Sequence, residues 1–278
     1  MITHSKLLED ELRRRVKGEV RFDAYSKAMY STDASIYQMD PIGVVIPHDA
    51  EDVAAIVDTC DETETAVLPR GGGTGLAGQT VNHAIVIDFS KYLRSVVEVN
   101  PEERWVKAQP GITLDELNHH LRSHQLHFPP DPTTSNRATV GGAIGNNSCG
   151  GHSVLYGKTS DHVKEVSVVL SDGTATRFGP LGRKLFEQKL KGDSFEDRIY
   201  RDIARIAQKN RGEIERRYPK IMRRVSGYNL DMMLHSGDVN MASMIVGSEG
   251  TLATITEAKL NLEPLPRMKS LAVLHLRT

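Results

Sequence analysis

At the start of the chain, Leu7, Leu8, Leu12 and Val16 recur at helical spacing among charges and Gly18 follows as a stop, so the first forty residues read as helical. Val44-Val45-Ile46 is a short apolar run ending at Pro47, after which Val53, Ile56 and Val57 share one helix face. Thr65-Ala66-Val67-Leu68 is a second strand, ending at Pro69, and Ile85-Val86-Ile87 a third, bounded by Asp88. Strand, helix, strand, loop and strand in this order predict a small parallel or mixed sheet. The pattern then changes. Val96–Val99 and Trp105–Ala108 flank Asn100-Pro101-Glu102-Glu103, and Val166–Leu170 and Thr174–Phe178 flank Ser171-Asp172-Gly173, predicting two hairpins. Between them Thr113-Leu114-Asp115-Glu116 is a capping box opening a helix that carries Leu114, Leu117 and Leu121. Residues 194–217 predict one long amphipathic helix through Phe195, Ile199, Ile203 and Ile206, and 251–262 alternates like a strand.

The fold class expected is therefore α+β, with a helical segment at 1–40 and two subdomains. The first, 41–95, holds a small parallel-leaning sheet with helices; the second, 96–265, a mostly antiparallel sheet with helices. Leu271–Leu276 reads as a strand without a neighbour, so 266–278 is expected to begin a further domain.

Composition narrows the function classes. The chain has 278 residues, 39% hydrophobic and 26% charged, which excludes a disordered chain. A formal net charge of -1 argues against a global grip on nucleic acid. Cys60 and Cys149 are the only cysteines, too few for a disulfide framework, a four-cysteine cluster or a four-cysteine zinc site. The N-terminus is too charged for a secretory signal and no apolar run spans a bilayer, so the expected compartment is the cytoplasm, with peripheral membrane association open.

The densest chemical signal is Pro69-Arg70-Gly71-Gly72-Gly73-Thr74-Gly75-Leu76-Ala77-Gly78-Gln79. Successive glycines after a strand expose consecutive backbone N–H groups, a concave surface for a diphosphate. Residues 73–78 spell G-x-G-x-x-G, but the next strand starts near Ile85, leaving no room for the helix of a Rossmann unit, and Asp88 comes too early for its acidic residue. No Gly-Lys-Ser/Thr follows, so a nucleoside-triphosphate loop also fails. A second tract, 129–157 (PPDPTTSNRATVGGAIGNNSCGGHSVLYG), has six glycines and three prolines and predicts a long stretch without regular structure lining a site. Two backbone-rich segments suit a long ligand clasped from both sides, such as a flavin dinucleotide.

These motifs, with QPGITLDEL at 109–117, YGKTSDHV at 156–163 and Ile245-Val246-Gly247-Ser248-Glu249-Gly250-Thr251-Leu252 followed by ATITEAKLNL, resemble the p-cresol methylhydroxylase-type FAD-binding domain of the vanillyl-alcohol oxidase superfamily. The resemblance runs from about residue 20 to 265 and is strongest to the D-lactate, glycolate and D-2-hydroxyglutarate dehydrogenase branch. It implies FAD extended between two subdomains. Gly71, Gly72, Gly73, Thr74 and Gly75 would hold the diphosphate through backbone N–H groups, with Arg70 either adding charge or shaping the turn. Thr139, Gly141, Gly142, Asn146, Ser148, Gly150 and Gly151 would line the other side, and Gly247, Glu249, Gly250 and Ile255 the adenosine or ribityl portion. No histidine lies between Arg70 and Gln79, so FAD is expected to be non-covalent; Cys149 reads as a bystander thiol, cysteinyl attachment being the remote option.

The resemblance also implies a small 2-hydroxy acid substrate, D-lactate first with D-2-hydroxyglutarate and glycolate close behind, hydride transfer to the flavin, and an electron acceptor. Enzymes of this branch carry a cap domain supplying substrate-binding residues, and the longest add iron–sulfur motifs. A missing domain or a partner chain would have to carry these, so no catalytic residue is assigned. Two rivals stand: a non-catalytic FAD-binding module needing a partner chain, and a reductase resembling UDP-N-acetylenolpyruvoylglucosamine reductase. His120 and His124 share a helix face beside His119 and His127, a pattern explained by an exposed polar face more simply than by a metal. The basic stretch from Arg198 to Arg224 reads as a solvated face, ahead of a docking patch for an acidic redox partner or nonspecific nucleic-acid binding.

Overall fold

The computed structural model describes residues 4–234, 239–268, 270 and 272–276. The first half runs α1 (His4–Arg15), β1 (Glu19–Arg21), α2 (Ala24–Tyr30), β2 (Gly43–Ile46), α3 (Ala50–Glu62), β3 (Val67–Arg70) and β4 (Ile85–Asp88). Leu8, Leu12 and Val16 are buried with Val53, Ile56, Val57 and Cys60, so the apolar faces of α1 and α3 close on each other. Each such side chain contributes about 1.5–3 kcal/mol when fully buried. The Asp52 carboxylate, also buried, accepts the N–H groups of Lys17, Gly18 and His48 at 2.8–2.9 Å and fixes the turn after α1. The strands order as β1-β2-β4-β3, with β2 and β3 parallel to β4 and β1 antiparallel to β2, the mixed sheet the sequence predicts.

The second half runs β5 (Val96–Asn100), β6 (Trp105–Ala108), α4 (Leu114–Leu121), β7 (Leu126–His127), α5 (Val140–Gly145), α6 (Ser153–Tyr156), β8 (Val163–Val169) and β9 (Ala175–Phe178). It continues through β10 (Pro180–Leu181), α7 (Arg183–Lys189), α8 (Phe195–Lys209), α9 (Arg211–Arg217), β11 (Val239–Asn240), α10 (Ala242–Ile245), β12 (Thr254–Asn261) and β13 (Glu263–Pro264). Both predicted hairpins form, and β12 joins them into an antiparallel sheet ordered β5-β6-β12-β8-β9. The capping box is present, Thr113 Oγ1 accepting from the Glu116 N–H at 3.3 Å while Glu116 accepts from the Thr113 N–H. Its helix buries Leu114, Leu117 and Leu121 in the larger core. Among the described residues no helix is long and apolar enough to cross a membrane.

Five expectations are corrected. The first forty residues are not all helical, because Glu19–Arg21 pairs with β2 and Val20 enters the same core as α1 and α3. The strand before the glycine loop is shifted two residues along: Thr65 lies in the turn that follows α3, its N–H donating to the Cys60 carbonyl, and Arg70 stands opposite Asp88 in the sheet. The helix expected over 194–217 divides at Asn210, which closes α8 and precedes α9. The long tract at 129–157 contains α5 and α6, because Thr139 caps Gly142 and bare glycines let α5 lie against Pro110. In the tail, residues 272–276 form no strand and Val273, Leu274 and Leu276 are exposed; Leu271 lies outside the described residues.

At Gly212, in α9, nothing lies within 4 Å of where a Cβ would stand. Gly212→Ala should therefore stabilise the fold by about 0.5–1 kcal/mol through helix propensity and a less free unfolded chain. A higher midpoint in urea unfolding is the expected reading, and an unchanged or lower one refutes it.

Candidate functional site

Parallel strands β3 and β4 are neighbours, so the chain must leave the end of β3 and return, and residues 71–84 make that return without a helix. The glycine loop consequently lies at the edge of the first sheet, facing 137–149 of the second half. The approach is close. A Cβ on Gly71 would stand 2.2 Å from Thr139 Oγ1, and one on Gly72 only 2.1 Å from the Arg137 carbonyl oxygen. Gly73 takes φ +62°, a conformation that L side chains rarely adopt. From Gly72 to Leu76 no backbone N–H donates to an acceptor among the described residues. The loop thus presents a row of free donors to the space in front of it.

The start of α5 is arranged differently. Its first-turn N–H groups are already used: Val140 donates to Ile112, Gly141 to Pro110, Gly142 to Thr139 Oγ1 and Ala143 to the Thr139 carbonyl. The C-terminal carbonyls of α5 are used too, Ile144 accepting from Gly247 and Gly145 from Glu249. This ties down the turn at 246–251, where Gly247, Glu249 and Gly250 all have positive φ and Gly250 lies against Pro69. Gln79 and Asn146 join the two tracts at 3.5 Å.

Between these elements lies a cleft of about 1250 Å³, its open mouth included. Of the residues singled out from sequence, the structure brings Arg70, Gly71, Gly72, Gly73, Thr74, Gly75, Thr139, Gly141, Gly142, Asn146, Ser148, Glu249, Gly250 and Ile255 to its lining. Gly150, Gly151 and Gly247 are not among the lining residues. Gly150 backs onto Asp131, where a Cβ would come within 2.1 Å of the carboxylate, and Gly247 lies beside Asn147. Sequence reasoning missed Phe89, Pro110, Pro132 and Val225, which supply apolar wall, and Cys149 also lines the cleft.

Sequence reasoning missed Asn147 as well. It is fully buried with φ +48°; its Oδ1 accepts from the Ser160 N–H, while Nδ2 has no hydrogen-bond partner. A buried amide without a partner is rare and marks a place where a ligand acceptor is wanted. Free N–H groups, a cradle too tight for Cβ atoms and this amide fit a long ligand carrying a diphosphate. FAD is such a ligand.

Arg70 is the loop's anchor. Its guanidinium donates to the carbonyls of Tyr30 (3.2 Å), Thr80 (3.0 Å) and Thr32 (2.8 Å) and lies over the Tyr30 ring. Burial pulls its pKa below the ordinary arginine value. Tyr30 in turn donates to the Asp88 carboxylate, and burial together with that carboxylate pushes the phenol above its usual range. Of the two roles open to Arg70, the geometry is that of a brace shaping the loop. Among the described residues no group of three His, Cys, Asp or Glu is placed to hold a metal ion.

A D-2-hydroxyglutarate dehydrogenase of Pseudomonas putida is 40% identical over 256 residues, covering 90% of this chain and 25% of that protein. One from Escherichia coli is 39% identical over 87% of this chain and 24% of its own length. Glycolate oxidase subunit GlcD of Bacillus subtilis is 29% identical over 92% of this chain and 44% of its own. The chain thus spans about a quarter of the length of these two D-2-hydroxyglutarate dehydrogenases. Among solved structures, alkyldihydroxyacetonephosphate synthase shares the fold at TM-score 0.66 and 19% identity, covering 94% of this chain and 42% of that one. The model of the FAD binding domain family matches residues 41–179, half of the sequence and the stretch that contains both glycine tracts. Both tracts facing the cleft thus lie within the matched stretch, and the chain belongs to the FAD binding domain family.

Proposed function

We propose that this chain holds FAD non-covalently between its two glycine tracts and is the cofactor-binding portion of an enzyme oxidising a D-2-hydroxy acid. The observation that carries the reading is the row of N–H groups from Gly72 to Gly75 that have no acceptor among the described residues, in a loop that lines the cleft opposite the second tract. Gly71, Gly72, Gly73, Thr74 and Gly75 hold the diphosphate, while Thr139, Gly141, Gly142, Asn146 and Ser148 face it and Asn147 offers its amide. Glu249, Gly250 and Ile255 meet the adenosine or ribityl portion, while Gly150 and Gly151 stand against Asp131 outside the lining and Gly247 beside Asn147. Phe89, Pro110 and Val225 exclude water. When bound, FAD supplies a two-electron acceptor for the hydride of the substrate α-carbon.

The relatives' names make D-2-hydroxyglutarate the first substrate to try, ahead of D-lactate and glycolate. Among the described residues Arg70 and Glu249 are the only charged ones lining the cleft, and the Arg70 guanidinium is engaged by three carbonyls. Among those residues a substrate carboxylate therefore finds no free cation. Its binding groups and the proton acceptor are left to a further domain or a partner chain, and this chain alone should bind FAD with little turnover.

The test is the visible spectrum of the purified chain, repeated on the supernatant after acid precipitation. Flavin released by acid is the expected result. Protein that stays colourless with added FAD, or flavin that remains with the precipitate, overturns non-covalent binding. Anaerobic bleaching of the whole protein by D-2-hydroxyglutarate supports the substrate class; bleaching by NADPH alone would replace it with the reductase reading.

A further inference from the structure

Eight Lys and Arg but only two Glu stand between Arg205 and Arg224, in a chain whose formal net charge is -1. They belong to the end of α8, to α9 and to the segment 218–224, and all but Arg224 are exposed. Some are neutralised locally: Arg205 pairs with Asp202, Arg211 with Glu215, and Arg216 and Arg217 with Glu213. Lys209, Lys220 and Arg223 form no ion pair among the described residues. Between the last two stand Ile221 and Met222, 65% and 52% exposed. Single exposed apolar residues are ordinary; an adjacent pair set among cations has the layout of an interface, apolar at the centre and charged at the rim.

This surface adjoins the cleft. Arg223 donates to the Gly150 carbonyl at 3.0 Å, one residue beyond the cleft-lining Cys149, and Val225 lines the cleft itself. The segment is strapped in place. Arg224 binds Asn229 and Asp231 and lies over the Tyr218 ring; Tyr218 donates to the Tyr228 carbonyl; and the Tyr228 and Thr251 hydroxyls share a 2.8 Å hydrogen bond.

We infer that the surface centred on Lys220–Arg223, with Arg216 and Arg217 at its rim, docks an acidic one-electron carrier protein at the edge of the cofactor cleft. The inference rests on the redox reading above. Oxidation of one hydroxy acid releases two electrons and two protons, so two carriers dock in turn, each reduced by one electron, and the protons pass to water. A protein is favoured over a membrane because Glu213 and Glu215 are interleaved with the cations and the apolar centre is only two residues wide. A membrane-binding helix would present a longer apolar face opposite its charges.

The experiment is calorimetric titration of the FAD-loaded chain with an acidic blue-copper protein, with a basic c-type cytochrome as the mismatched probe. The acidic protein should bind, and its affinity should fall about tenfold between roughly 20 and 200 mM salt. Arg216→Glu/Lys220→Glu should weaken it by at least about tenfold and Ile221→Ser by about fivefold, while Arg14→Glu on α1 changes nothing. Flavin content should be the same in all variants. Binding is read without substrate, so a failure of hydroxy-acid oxidation is seen separately. No binding of the acidic protein, equal binding by the double variant, equal binding of the cytochrome, or capture by phosphatidylserine vesicles in place of the carrier overturns the inference.

Discussion

Gly72→Ala should give a folded chain that binds FAD about ten- to a hundredfold more weakly. The added methyl would stand 2.1 Å from the Arg137 carbonyl oxygen and 2.9 Å from its carbon, where ordinary contact begins at 3.4 Å. Both atoms are backbone, so no side chain can swing aside; the loop and the second tract must part by more than an ångström. Overpacking of this kind costs about 1–3 kcal/mol. The cost falls on the closed cleft, because the loop touches the second half there and its free N–H groups are aimed by that contact. Each 1.4 kcal/mol lost from binding is a factor of about ten. Gly212→Ala is the internal control: nothing lies within 4 Å of its Cβ, and it stands in α9, outside the cleft lining. Titration of the flavin-free proteins with FAD measures both. Equal affinity for Gly72→Ala and the parent would show that the closeness of the two tracts does not govern cofactor binding.

The same two glycine tracts show what the sequence exposes and what it hides. Local chemistry is legible: Asp172-Gly173 marks its hairpin, Thr113 and Glu116 mark a helix start, and glycines following a strand mark the cleft. Each of these signals acts within a few residues of itself. The parts that were missed depend on packing between distant segments. Val140–Gly145 is a poor helix by propensity, and forms because Thr139 caps it and Pro110 fits against its glycine face. Phe89 and Val225 reach the cleft from segments that carry no motif. Asn147 would have been findable as the second Asn of Asn146-Asn147, yet only the fold shows it buried with Nδ2 lacking a partner. The Arg205–Arg224 charge cluster was plain in the sequence, whereas its contact with the cleft rim through Arg223 was not.

Arg70→Met should lower stability by about 3 kcal/mol and weaken FAD binding with it. One guanidinium holds the carbonyls of Tyr30, Thr32 and Thr80, so the end of α2, the segment after it and the far end of the glycine loop all converge on this residue. Hydrogen bonds to a charged group contribute about 1.5–3 kcal/mol each, and three that share one cation are not additive. Methionine fills much of the same volume but leaves the three carbonyls without that donor. Arg70→Lys should fall between the two, because a compact ammonium cannot fork toward carbonyls on three sides as a planar guanidinium does. Urea unfolding and flavin titration, run on the same three proteins, separate the two roles the sequence left open. If Arg70 is the brace, stability and affinity fall together, in the order Arg, Lys, Met. If it instead supplies charge to the diphosphate, affinity falls while the unfolding midpoint stays at the parent value. The three carbonyl contacts favour the first outcome, because a guanidinium already committed to them has little left to offer a ligand.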